Sequence, residues 1–387
     1  MKKTLIFVLV ALLALSAFGC AQPAPAPAAA EPAAPAAEPA APAQEEAPAA
    51  PAAEADPMAA LVEAAKAEGE LVVYGSCEEA YLAAACQKFE SMYGIKVSYQ
   101  RLSTGEVATK IAEEAGNPSA DVWFGGTTDP YNVSAAEGLL VAYEAMNASH
   151  LTDPMFRDKD GYWYGIYKGI LGFMVNTEEI ARLGLEAPAD WDDLLNPAYK
   201  GLVSYSNPST AGTGKLIVNT MVQMKGEEAA MEYFKALDPN IVQYTKSGSG
   251  PSKMVGPGEI VIGVGFLHDG IKQILDGYDN IALVAPASGT SFEIGATAIF
   301  KGCKHENASK LWIEFALSPD CVNLAKDAES YQFLVLDNAE QPKEATEFNL
   351  DKAKLIDYDF ESAKENTTRL VEEYFTFVNG DDRFKTE

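Results

Sequence analysis

The sequence predicts an α/β fold on a largely parallel sheet, and three observations predict it. A strand–turn–helix unit recurs three times between residues 70 and 136. Each unit ends its strand in small or hydroxyl residues and opens its helix at a capping position. About 330 of the 387 residues follow a Pro-rich stretch, more than one hydrophobic core usually organises, so two lobes are expected.

The elements follow in order. Residues 70–76 (ELVVYGS) read as a short buried strand, and Ser76-Cys77-Glu78-Glu79 fits a capping box. The next helix, residues 77–92, sets Tyr81, Ala85, Phe89 and Met92 on one face. Residues 95–99 form a second strand, Ser103 to Glu106 a second capping box, and a helix runs to about residue 115. Residues 120–124 form a third strand, ending in Gly125-Gly126-Thr127-Thr128, with Asp129-Pro130 opening a helix. Farther on, a strand at 202–205 leads through SNPSTAGTG to a helix over 215–224. Residues 246–251 (KSGSGP) precede another helix, with proline at an early position. A last helix, around 368–377, is expected to pack on the first lobe.

In such a sheet the loops after the strands gather along one edge, where ligands bind. Each loop ends at a helix N-terminus, whose free N–H groups and positive dipole end favour an anion. The candidate contacts are Ser76, Ser103, Thr104, Thr127 and Thr128 in the first half, and Ser209, Thr210, Thr213 and Ser249 in the second. Any one of these hydroxyls could simply cap its helix. Five loops with the same chemistry together predict a cleft of neutral hydroxyls and amides, suited to an oxyanion such as phosphate. Gly212-Thr213-Gly214-Lys215 fails the nucleotide-loop pattern, because Ser209 stands where glycine is needed and Leu216 where a hydroxyl is needed. No GxGxxG follows a strand, which excludes a dinucleotide site.

The N-terminus has the three-part layout of a secretory signal: Lys2-Lys3, an apolar run from 5 to 15, then small residues leading to Cys20. The run is too short to span a bilayer. Residues 21–57 are almost entirely Ala, Pro and Glu and hold ten of the 22 prolines. No core can form there. The stretch predicts an extended strut reaching on the order of 100 Å at about 3.1 Å per residue. The globular unit is expected to begin at Met58. A formal charge of −27 argues against a nucleic-acid partner.

Cys77 and Cys86 lie nine apart on one predicted helix, about 13 Å, too far for a disulfide. Cys303 and Cys321 bracket a predicted helix, and whether they pair stays open. No spacing marks a zinc site.

The segment ending in Cys20 resembles the bacterial lipoprotein box, with Ala17 where leucine is commoner. It implies a lipid anchor on Cys20, a place outside the cytoplasm and no other membrane attachment; an ordinary cleaved signal is the alternative. Three further stretches, YWYGIYKGILGFMVN (162–176), GVGFLHD (263–269) and GTSFEIGATAIF (289–300), carry a wider likeness. With the SNPSTAGTG loop and the DVWFGG strand they resemble solute-binding proteins of bacterial ABC importers, in the branch containing ferric-ion and hexose-phosphate binders. The resemblance covers nearly all of residues 68–335. It implies the type II periplasmic-binding fold, two lobes joined by crossing strands. Lobe one would span about 68–171 with 286–387, and lobe two about 172–285.

The ferric members hold iron with adjacent tyrosines and usually an early histidine. This chain has no Tyr-Tyr pair, and carries Phe266-Leu267-His268-Asp269 and Cys77 at the corresponding places. The resemblance to the hexose-phosphate subgroup implies that His268, Asp269 and Glu293 meet sugar hydroxyls, while Ser209, Thr210 and Thr213 hold the phosphate. Tyr164 and Tyr167 either wall the cleft or pack. The implied role is non-catalytic: a small anionic solute is captured and delivered to permease subunits of an importer. A metal ion on His268, Asp269 and Glu293, an extracytoplasmic hydrolase and a sensory role are the alternatives.

Overall fold

A computed structural model describes residues 56–378, so Cys20 and all of the tether except Asp56 and Pro57 lie outside the described residues. Helix α1 (Pro57–Glu68) opens on Asp56, whose carboxylate accepts from the Met58 amide, and stops at Gly69 in the left-handed conformation. Pro57 therefore belongs to the first helix rather than to the strut.

The first three units form as β1 (Glu70–Gly75), α2 (Glu79–Tyr93), β2 (Lys96–Arg101), α3 (Thr104–Glu113), β3 (Val122–Thr127) and α4 (Thr128–Ala136). After the two-residue β4 (Leu140–Val141), the long β5 (Tyr164–Asn176) leads into α5 (Thr177–Leu183). The next elements are β6 (Val203–Ser206), α6 (Gly212–Lys225), α7 (Glu227–Leu237) and β7 (Ile241–Thr245). Then come α8 (Gly250–Val255), β8 (Ile262–Phe266), α9 (Leu267–Leu275) and β9 (Ile281–Val284). The chain returns along β10 (Phe292–Phe300) and α10 (Glu306–Ala316), adds β11 (Phe333–Leu334), and ends in a C-terminal helix, Phe360–Phe377.

The strands line up as β2-β1-β3-β10-β5-β8-β6-β7, with β4 on β10 and both β9 and β11 on β5. The flanks are parallel as predicted, β1 with β2 and β3, and β6 with β7 and β8. The middle is antiparallel, because β5 and β10 run between the lobes in opposite directions. The sheet is thus mixed, which corrects the expectation of a largely parallel one. β5 serves both halves: its residues 164–170 pair with β10, and 171–175 pair with β8.

Two large cores flank this crossing. One gathers Tyr81, Phe89, Phe124 and Trp312, with Phe89 5.2 Å and Phe124 5.3 Å from Trp312 between ring centroids. The other gathers Phe173, Trp191, Phe234 and Tyr374. Each such side chain contributes about 1.5–3 kcal/mol by leaving water. Tyr81, Ala85 and Phe89 are buried as their helical spacing predicts, but Met92 is 39 % exposed, and its neighbour Tyr93 packs on the core instead. The C-terminal helix corrects another expectation. Its Ala363, Leu370 and Tyr374 belong to the second core, and it packs on α6 and α7 as well as on α4.

The four cysteines among the described residues are free. Cys321 is fully buried in the first core, while Cys303 Sγ accepts from Ser309 Oγ at 3.8 Å, so the suggested pair does not form. The first capping box is also absent. Helix α2 starts at Glu79 without a side-chain cap, and Ser76 Oγ accepts instead from Trp123 Nε1 at 2.9 Å. The second is present: the Glu106 carboxylate accepts from the Ser103 amide at 2.9 Å. Among the described residues no helix is long and apolar enough to cross a membrane.

Candidate ligand-binding cleft

The strand ends of both halves open onto one narrow cavity of about 50 Å³. From the first half come Ser76 after β1, Ser103 and Thr104 after β2, and Thr127 at the end of β3. The second half supplies Thr213 in the first turn of α6, Ser249 before α8, and His268 and Asp269 in the first turn of α9. Glu293, on crossing strand β10, completes the predicted residues that the structure brings together.

Three predicted contacts lie outside the cavity. Ser209 Oγ donates to Asn207 Oδ1 at 2.9 Å, and Thr210 Oγ1 to the Lys246 carbonyl at 2.9 Å, so both hydroxyls are spent on their own loops. Thr128 is buried inside the first turn of α4, behind Thr127. Tyr164 packs, giving its hydroxyl to the Tyr143 carbonyl. Tyr167 lines the cavity, and its oxygen accepts from the Gly126 amide at 2.9 Å.

Among the helices of nine or more residues that begin at this cavity are α4, α6 and α9. Their N-cap residues, Thr127, Ala211 and Phe266, are extended and make no side-chain cap bond to the first-turn amides. Uncapped amides at helix starts are anion donors. Close packing makes their convergence possible. A Cβ on Gly212 would sit 2.0 Å from Thr127 Oγ1, and one on Gly126 would sit 2.4 Å from Thr104 Oγ1. Gly126 also holds φ +84°, where a side chain is strained.

The cavity is more charged than the predicted lining of neutral hydroxyls and amides, which is a correction. Arg101, the last residue of β2, faces it. Its Nε donates to the Cys77 carbonyl at 3.2 Å and its Nη2 to Ser247 Oγ at 3.3 Å, which ties the first half to the second. Glu78 lies beside it. Burial alone would raise that carboxyl, but Lys253, at 3.1 Å, a hydrogen bond from Ser249 and the Arg101 charge hold it below the ordinary range. The opposite holds for Asp269, pushed up by burial and by the Glu78 charge, and for Glu293, pushed up by burial and by Asp269. Burial drives His268 down to about 3, so its ring is neutral at ordinary pH. The Cys77 thiol, raised to about 12 by burial, is not a nucleophile there.

Three residues lining this space carry a polar atom buried without any hydrogen-bond partner: Thr127 Oγ1, His268 Nδ1 and Gln332 Oε1. Buried polar groups are nearly always satisfied, so three orphans around one cavity point to an external partner. Among the described residues no three His, Cys, Asp or Glu side chains converge as a metal site. Outside the cavity the two halves are clasped by Glu106–Lys246 at 2.6 Å and by the Gly105 amide on the Thr210 carbonyl at 3.1 Å.

Sequence reasoning missed Arg101, Glu78 and Gln332. Arg101 carried a readable signal, a lone cation two residues before a capping box at a strand end. Glu78 lies between the Ser76 and Glu79 ends of the expected capping box and carries no signal of its own, since its partner, Lys253, is 175 residues away. Gln332 follows no strand and carried none.

Comparison with known proteins agrees with this architecture. Residues 129–366 match the sequence profile of the bacterial extracellular solute-binding proteins. A protein of Haemophilus influenzae is 41 % identical over 318 residues, covering 80 % of this chain and 91 % of that one. The periplasmic binding protein AfuA from Actinobacillus pleuropneumoniae, solved with fructose 6-phosphate bound, is 39 % identical with a TM-score of 0.77, over 80 % of this chain and 98 % of that one. The ferric binding protein from Campylobacter jejuni shares the fold at 21 % identity and a TM-score of 0.68, over 79 % of this chain and 99 % of that one. The chain belongs to the bacterial extracellular solute-binding proteins, with their two-lobed periplasmic-binding fold.

Proposed function

We propose that this protein captures a small organophosphate, in the first instance a sugar phosphate, and delivers it to the permease of an ABC importer. The observation that carries the reading is the convergence of three uncapped helix N-termini with Arg101 on one cavity. Free amides and a guanidinium bind a phosphate dianion; Thr127 and Thr213 add hydroxyl donors. The remainder of the ligand meets His268, Asp269 and Glu293. A neutral imidazole and carboxyls held near neutrality can donate or accept, which suits sugar hydroxyls better than a second anion. The likeness to AfuA, 39 % identical and solved with fructose 6-phosphate, supports the same class.

The role is binding without chemistry. The mature chain is held at the membrane by a lipid on Cys20, with residues 21–57 as the spacer that lets the cleft face the medium. Lobe closure about β5 and β10 would trap the solute and present the face that the permease reads.

Thermal unfolding with fructose 6-phosphate, inorganic phosphate, fructose, 2-aminoethylphosphonate and ferric citrate tests the reading. A ligand at 100 times its dissociation constant stabilises by about 2.7 kcal/mol, a readable rise. Stabilisation by a phosphorylated compound and not by fructose is expected. Stabilisation by ferric citrate alone would replace the organophosphate with a metal.

A further inference from the structure

We propose that Gln332 is a specificity-determining contact for the hydroxylated end of the ligand, supplied by a stretch of chain outside the two sets of strand-end loops. The inference rests on the organophosphate reading and names the part of the site that would discriminate among such ligands.

Gln332 is 2 % exposed and faces the cavity. Its Oε1 has no hydrogen-bond partner. Leaving such an acceptor dry costs about 1–3 kcal/mol, a cost that a leucine of similar size would not carry. The side chain is held in place through β11. Phe333 pairs with Lys168 and Leu334 with Tyr167 across β5. Continued by one residue, that register sets Gln332 level with Gly169.

Gly169 is a crowded point on β5, against the cavity-lining His268 and Glu293. Glu293 is its partner on β10, and a Cβ added at Gly169 would lie 2.6 Å from His268 Cε1 and 2.8 Å from Glu293 Oε1. Gln332 is therefore at the level of His268, whose Nδ1 is also without a partner, and of Glu293. An amide offers one acceptor and two donors, a neutral imidazole one of each, and a protonated carboxyl one donor beside its acceptor oxygens. A hydroxyl is both donor and acceptor, so vicinal hydroxyls answer all three. Inorganic phosphate, seated on the helix N-termini and Arg101, has no second end to reach Gln332 and gains little from it.

The experiment compares the full chain with Gln332→Leu, using isothermal titration with fructose 6-phosphate and inorganic phosphate, and melting without ligand. The expected result is a loss of about tenfold in affinity for fructose 6-phosphate, with phosphate changed less than about twofold. The ligand-free variant melts at or above the wild-type temperature, because an orphaned acceptor has been removed. Unchanged affinity for fructose 6-phosphate overturns the inference, as does an equal loss for both probes. A ligand-free melting point lower by more than about 5 °C also overturns it, since the amide would then be structural. If the wild type binds neither probe, the organophosphate reading fails by itself. The melt then decides for Gln332: a rise keeps it as a residue maintained for some ligand, and a fall removes it.

Discussion

Replacing Gly212 by alanine separates lobe closure from fold stability. Gly212 is the first residue of α6, where alanine is the better helix former by roughly 0.5–1 kcal/mol. The helix itself is therefore not weakened. The added Cβ would lie 2.0 Å from Thr127 Oγ1 and 3.1 Å from Thr104 Oγ1, atoms of the opposite half. An ordinary contact needs about 3.4 Å or more, so the α6 N-terminus must retreat from α4 by more than about 1 Å, or Thr127 must turn its hydroxyl away. Either response removes a donor from the proposed anion site. Overpacking of this kind costs about 1–3 kcal/mol, which would act on the closed form and weaken binding about 5- to 150-fold. Isothermal titration with fructose 6-phosphate, beside ligand-free urea unfolding, gives both numbers. Affinity within twofold of wild type would falsify the close approach of α4 and α6 as a condition of binding. A large loss of ligand-free stability would instead show that the contact belongs to the resting fold.

Three further outcomes are expected. Thr213→Val should weaken fructose 6-phosphate by about tenfold, since a buried phosphate oxygen loses its donor; equal titration curves would remove Thr213 from the site. Asp129, buried where it accepts from Tyr358 Oη at 3.2 Å, has its carboxyl pushed up to about 6, chiefly by burial and against the Tyr358 bond and the Lys215 charge. The folded state then holds this proton more tightly than the unfolded chain, so the stability cost develops between about pH 4 and pH 6 and persists above. Asp129→Asn should therefore raise the melting point at pH 8 more than at pH 4, by up to about 3 kcal/mol of stability, and equal effects at both pH values would contradict that origin. Glu106→Ala removes the cap on Ser103 and the partner of Lys246, and should cost about 1 kcal/mol in urea unfolding, nearly all of it from the cap because the ion pair is solvent-exposed.

Much of the fold was legible because it is written locally. The strand–turn–helix units around Ser103 and Thr127 declare themselves through caps, glycine turns and apolar spacing within a dozen residues. The same logic gathered Thr104, Thr213, His268 and Asp269 at one edge, since loops after strands must meet there. The failures share the opposite property. Ser76 with Glu79 resembles a capping box, but Trp123 on a distant element takes the Ser76 oxygen, and the intervening Glu78 turns to Lys253. Ser209 and Thr210 had the right chemistry, but Asn207 and the Lys246 carbonyl consume their hydroxyls. The antiparallel crossing of β5 and β10 has no local signal at all, because strand direction depends on connection rather than composition. The upward push on the Asp269 and Glu293 carboxyls was likewise invisible, since it depends on what surrounds them.

The place of the C-terminal helix has a consequence for how the protein is made. The second core needs Tyr358, Leu370 and Tyr374 against Phe234, so residues from the middle of the chain wait for partners near its end. That lobe cannot finish folding until residues 358–378 have emerged from the ribosome or the translocation channel. Until the helix from Phe360 to Phe377 arrives, Phe234 and its neighbours have no cover, so this core closes late in the passage of the chain.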